Sequence, residues 1–177
     1  MLEYLNKISK NRLPWALLLA SSATFLSCGF FFQYVMNLEP CHLCIIQRIA
    51  FLIIGIGGAI ALIKPHLSLF RLLGLMVWSA GVSLGLYAAN KLVQLQLNPP
   101  TQNLFSSCEI DATSLMNSYG FLEWFPMMFE AKGSCTESAW SFYGILTMEQ
   151  ITLLIFCGHA IAFLLILISQ FFYKKNQ

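Results

Sequence analysis

The chain has 177 residues, 58% of them hydrophobic and only 10% charged. Ordinary soluble domains carry roughly 45–50% apolar and about 25% charged residues, so these proportions exclude a soluble globule and intrinsic disorder alike. A net charge of +2 supplies no basic field for nucleic acid. What remains is an integral membrane protein organised as one domain.

A bilayer core takes about 20 mostly apolar residues in helix. The first such stretch is Leu13–Met36, with Pro14 at its head, where a missing N–H costs nothing. Basic residues precede it, and Phe25-Leu-Ser-Cys28-Gly faintly resembles a lipoprotein cleavage site. The apolar run continues past Cys28, longer than a signal-peptide core, so the segment is expected to stay as a span and Met1 to be retained. The second span is Ile45–Ile63, just beyond Pro40, the third Leu72–Asn90 and the fourth Ile151–Tyr173. Thr147-Met-Glu-Gln150 reads as a capping box at the start of the fourth. Strands would alternate apolar and polar residues, and these runs do not. The predicted fold is therefore an all-α, four-helix transmembrane bundle, with connections at 37–44 and 91–150 on one side.

The basic residues set the orientation. Lys7, Lys10, Arg12, Lys64, Arg71, Lys174 and Lys175 fall on one side, which is expected to be cytoplasmic along with both termini. Lys91 and Lys132 lie on the long outer connection. Arg48 is the one formal charge inside a predicted span.

The long connection is not low in complexity. It opens on the chain-turning Asn98-Pro-Pro-Thr101 and contains Tyr119-Gly-Phe-Leu-Glu-Trp-Phe-Pro-Met-Met-Phe129. That run is too short and too broken by Pro126 to span, and its aromatic content predicts a short helix at the membrane interface. The plainer alternative is a small core packed on the helix ends.

The six cysteines divide by position. Cys28 and Cys157 fall mid-span, where a cysteine is expected to pack as a small hydrophobe. Cys41, Cys44, Cys108 and Cys135 fall on the outer side, where disulfides persist if that side is oxidising. Four cysteines permit three pairings, and proximity favours 41–44 and 108–135. Zinc is disfavoured, because Cys108 and Cys135 do not form a second close pair. A purely structural disulfide is the plain reading of Cys41-His-Leu-Cys44.

The surroundings favour redox chemistry instead. Behind Pro40 the motif should occupy the first turn of a helix, where unbonded N–H groups and the helix dipole favour thiolate. Arg48 follows Cys44 by one turn on the same face. A guanidinium at that depth is costly. Either it snorkels to headgroups, or it stabilises anionic sulfur and a carbonyl-bearing ligand. His42 would act in the same direction if protonated. A thiolate site opening towards lipid, beside a second cysteine pair on an outer loop, suggests electron relay between an outer thiol and a lipid-soluble carrier.

Over nearly its whole length the sequence resembles the DsbB family of bacterial disulfide-forming membrane oxidoreductases. The resemblance rests on four spans with both ends inside, Glu39-Pro-Cys-His-Leu-Cys44 opening the second span, Arg48 one turn on, Cys108 and Cys135 in the outer loop, and a basic tail. It implies a protein-thiol oxidase in the bacterial inner membrane that reoxidises a DsbA-like periplasmic partner and reduces quinone, either ubiquinone or menaquinone. In that scheme Cys108 forms the mixed disulfide, Cys135 passes reducing equivalents to Cys41, and Cys44 donates to quinone beside Arg48. The polar end of the third span, Asn90–Gln96, would lie near the quinone, although it carries no histidine. Gln47, where some relatives carry an acid, is given a neighbouring role. His159 is expected to hydrogen-bond within the bundle, and His66 to be solvated.

The energetics of the scheme require raised potentials in the pairs here, a quinone that pulls, or both. A partner couple near about −120 mV cannot be reoxidised by a structural disulfide below about −300 mV, a shortfall of about 8 kcal/mol. The 108–135 link would close a loop worth about 3.5 kcal/mol, and the loop would have to tolerate its opening. Two competing readings are a scaffold braced by inert disulfides and a reductase feeding electrons outward, as vitamin-K-reductase-like bundles do.

Overall fold

The computed structural model describes residues 11–97, 141–142 and 146–175. Four helices dominate it: α1 (Leu13–Tyr34), α2 (His42–Ile63), α3 (Ser68–Leu97) and α4 (Met148–Lys175). All four are long and apolar enough to cross a membrane, which makes this an all-α, multi-pass membrane protein. The only sheet among the described residues is a two-residue pairing of β1 (Ser141–Phe142) with β2 (Leu146–Thr147), antiparallel with Ser141 opposite Thr147.

Three of the helices outrun the apolar windows that announced them, while α1 ends at Tyr34, short of the expected Met36. α2 begins at His42 rather than Ile45, and α3 runs from Ser68 to Leu97 rather than from 72 to 90. Residues 91–97 and 148–150, expected in the outer loop, are therefore helical. Hydropathy marks where a helix suits lipid, whereas the backbone ladder continues through Asn90-Lys-Leu-Val-Gln-Leu-Gln96 because nothing there breaks it. The interfacial segment 119–129 lies outside the described residues.

Local chemistry fixes the ends. Pro14 occupies the first turn of α1, as expected. Past α1 the chain turns at Asn37, which adopts a left-handed backbone (φ 51°) that Asn tolerates better than most residues. The N–H of Leu38 then bonds back to the Phe32 carbonyl at 3.1 Å. At α4 half of the capping box forms: the Thr147 N–H donates to Gln150 Oε1 at 3.3 Å. The reciprocal half does not, for Thr147 Oγ1 is buried without a partner.

The second helix is the most buried of the four. It packs against α3 most extensively and then against α1, while α4 leans mainly on α3. The α2–α3 contact is close because glycines meet: a Cβ on Gly57 would lie 2.8 Å from the Gly74 carbonyl, and one on Gly74 2.7 Å from Ala61. Small residues at helix contacts let backbones approach within a membrane, where burial from water contributes little. Gly85 of α3 leaves room for the Phe156 ring of α4, and Phe156 stacks on Phe51 of α2 at 4.4 Å. Trp15 meets Trp78 edge-on at 6.2 Å, and the buried Ser22 hydroxyl of α1 donates to the Phe51 carbonyl of α2. The outward faces carry Leu72, Met76, Leu154, Ile161 and Leu164, all exposed. Such apolar surface suits lipid rather than water.

Candidate functional site: a thiol pair beside an apolar cavity

Cys41 is the N-cap of α2, and its Sγ accepts from the Cys44 N–H at 3.3 Å. The motif thus sits in the helix's first turn, as its position behind Pro40 predicts. Sulfur takes the place usually held by a Ser or Asp oxygen. Both cysteines are free thiols here. Cys41 is 4% exposed. Its thiol donates to the Cys44 sulfur, and that bond, followed by burial, raises its pKa well above the ordinary range, while the capping N–H acts in the opposite direction. Cys41 is therefore the member of the pair that keeps its proton.

Arg48 is only 9% exposed, and it turns to α1, where Nη1 donates to Gln33 Oε1 at 2.6 Å and Nη2 to the Gly29 carbonyl at 3.1 Å. The guanidinium also lies 5.3 Å from the centre of the Phe30 ring. These neutral partners hold the cation without cancelling its charge, so its field remains available to a neighbouring anion.

Between α1, α2 and α4 lies a cavity of about 240 Å³ whose lining includes Cys44, Gln47, Arg48, Phe51, Leu92 and Glu149. A smaller cavity of about 50 Å³ adjoins it and reaches Cys41, Gln33 and Glu39. Two buried polar atoms on the larger cavity's lining have no partner: the Gln47 side-chain nitrogen and Glu149 Oε2. An orphaned buried polar atom costs about 1–3 kcal/mol, so two on one cavity mark a place where something polar is meant to bind.

The structure thus brings together Cys41, Cys44 and Arg48 of the expected site. Cys108 and Cys135 lie outside the described residues. The polar end of the third span contributes Leu92 to the cavity. Cys28 and Cys157 are exposed on the bundle surface rather than packed inside it; α1 and α4 turn those positions outward, and Cys28 also lines the cavity. His159 lies among rings, 6.4 Å from Phe25 and 6.3 Å from Phe51, and His66 is exposed in the α2–α3 turn. Gln33 and Glu149 were missed as site residues. In the sequence Gln33 is a polar residue inside an apolar run, and Glu149 reads as part of a cap.

Taken together, the fold and the site define a four-helix membrane protein with a thiol pair at the mouth of an apolar cavity. Residues 11–166 match the family model "Disulfide bond formation protein DsbB", and the chain belongs to that family. It is 42% identical over 176 residues to the disulfide bond formation protein B of Vibrio parahaemolyticus, covering 98% of this chain and 94% of that one. With the protein of the same name from Aliivibrio fischeri it shares 40% over 177 residues, 98% and 100% of the two chains. The Haemophilus influenzae protein of that name is 35% identical over 177 residues, 100% and 97% of the two.

Proposed function

We propose that this protein is a dithiol:quinone oxidoreductase of the bacterial inner membrane, with both termini in the cytoplasm. It reoxidises a DsbA-like periplasmic thiol oxidase and passes the electrons to ubiquinone or menaquinone. The observation that carries this reading is that Cys44 and Arg48 line one apolar cavity with two buried polar atoms lacking partners.

The lining fits a quinone head group. The Gln47 amide and Arg48 are donors for ring carbonyl oxygens, and Phe25, Phe32 and Phe51 offer apolar faces. At about 240 Å³ the space falls below the roughly 300–1,000 Å³ of sites that enclose drug-sized ligands, which suits a ring with its tail left in lipid. Bound quinone supplies a two-electron sink.

The rest is done by side chains of this chain. Cys108 and Cys135, joined as a disulfide, take electrons from the partner's dithiol by thiolate exchange, with Cys108 in the mixed disulfide. Cys135 passes them to the Cys41–Cys44 disulfide by attacking Cys41, which releases Cys44 as the sulfur facing the cavity. Arg48, held by Gln33 and Gly29, stabilises negative charge there. Cys108 then attacks Cys135, which restores the Cys108–Cys135 disulfide and releases Cys41; the Cys41–Cys44 dithiol would return to its disulfide as its two electrons leave to the acceptor.

Turnover tests this reading. Full-length protein in lipid vesicles, given a short-chain ubiquinone and a reduced DsbA-like oxidase, should consume the partner's thiols catalytically, and Cys44→Ala should abolish this. No turnover, with both cysteine pairs inert, would leave a scaffold.

A further inference from the structure

Glu149 opens α4 on the wall of the cavity opposite Cys44 and Arg48 of α2. An acid in a helix's first turn is ordinary when it answers the helix dipole from the surface. Glu149 is not at the surface: it is 6% exposed, and Oε2 is buried with no hydrogen-bond partner. A carboxyl group kept in that condition needs a job or a partner that comes and goes. It lines the small cavity that reaches Cys41 as well as the larger one that reaches Cys44, so both sulfurs are its neighbours.

Resting on the quinone-linked reading, we propose that Glu149 carries the proton of the cavity reaction, taking it from Cys41 and delivering it to a ring oxygen of the bound quinone. When the Cys41–Cys44 bond forms, two electrons and two protons leave the dithiol. The S–H bond of Cys41 breaks, the two electrons reduce the quinone, and its two carbonyl oxygens become hydroxyls. One proton passes through Glu149, which ends in the protonation state in which it began. The other goes to solvent when Cys44 ionises, and the second ring oxygen takes its proton from solvent.

The charged and titratable groups facing Glu149 across the two cavities are Cys41, Cys44 and Arg48 from the start of α2, Cys28 from α1 and Glu39 from the first connection. The third helix contributes only Leu92. Cys41 holds its proton tightly, and the Glu149 charge is one of the causes. The group that keeps the proton thus sits beside the group suited to remove it.

The test uses full-length protein in vesicles, with dithiothreitol as thiol donor and a short-chain benzoquinone as acceptor. Glu149→Gln keeps shape and removes the titrating group. It should lower kcat about 100-fold, the lower end of what a positioned acid–base group contributes, with quinone KM changed less than about threefold. One limb of the pH–rate profile should vanish, and Glu149→Asp should restore it. Without any quinone, the pH midpoint for Cys41 alkylation should fall in Glu149→Gln. Wild-type kcat, pH profile and alkylation midpoint in Glu149→Gln would overturn the proposal while leaving the quinone-linked reading intact. If wild-type protein passes no electrons to the benzoquinone, that reading fails, and an unmoved alkylation midpoint would then overturn the contact between Glu149 and the sulfurs as well.

Discussion

Arg48 of α2 donates to Gln33 of α1 across 2.6 Å. That bond holds the sole charge of the second helix within the bundle, on the same cavity as Cys44. Because Gln33 is neutral, the guanidinium keeps its full charge for whatever enters the cavity. Arg48→Met should raise the quinone KM about tenfold or more, the worth of a hydrogen bond to a charged group, with a smaller effect on kcat. Steady-state kinetics with varied quinone would show it. An unchanged KM would mean that the guanidinium does not touch the acceptor.

The same bond makes Gln33 a positioning residue. Gln33→Leu removes one of the two acceptors that aim Arg48 and should cost about 1–2 kcal/mol of stability. The melting temperature in detergent should fall, and the quinone KM should rise by less than in Arg48→Met. A KM effect as large as that of Arg48→Met would place Gln33 on the acceptor itself.

The thiol pair has a pH signature. The raised pKa of Cys41 comes first from the hydrogen bond to the Cys44 sulfur. In the dithiol form Cys41 therefore stays protonated through pH values at which an ordinary cysteine ionises, about 8.5, and its alkylation should set in only above them. Cys44→Ala removes the sulfur acceptor and should bring that onset down. Mass spectrometry of alkylated protein across a pH series measures both.

Helix packing offers a test independent of chemistry. Gly85 leaves room for Phe156, which stacks on Phe51 at the cavity's floor. Gly85→Val puts a branched side chain where that ring lies and should destabilise the bundle by about 1–3 kcal/mol, visible as a lower melting temperature in detergent. A valine at the exposed Gly158, where a Cβ meets nothing within 4 Å, should leave it nearly unchanged.

The four helices were legible because a membrane demands long apolar runs, and those runs are hard to mistake. Their ends were less so. The first turn of α2, His-Leu-Cys, reads as loop on hydropathy and is helical because Cys41 caps it. The last two turns of α3 are too polar for an apolar window and continue the helix regardless. Within the site, Cys41, Cys44 and Arg48 share one short stretch, so their spacing alone puts them on about two turns of helix. Gln33 and Glu149 come from other helices, and only tertiary packing brings them to the same cavity. The exposure of Cys28 and Cys157 is hidden for a similar reason: a mid-span position predicts packing, and the rotation of α1 and α4 about their axes turns both out.

Orientation rests on the distribution of basic residues and has a direct check. A reporter fused after Lys174 should read as cytoplasmic, and an external reading would overturn the topology.

The central claim is that Cys44 faces a quinone beside Arg48, and the most direct measurement is optical. Cys41→Ser leaves Cys44 without its disulfide partner. Adding a short-chain ubiquinone to that variant should produce a saturable change in visible absorbance, absent when Cys44 is also replaced by Ala and weakened by Arg48→Met. A spectrum equal to the sum of protein and quinone at saturating quinone would contradict the account.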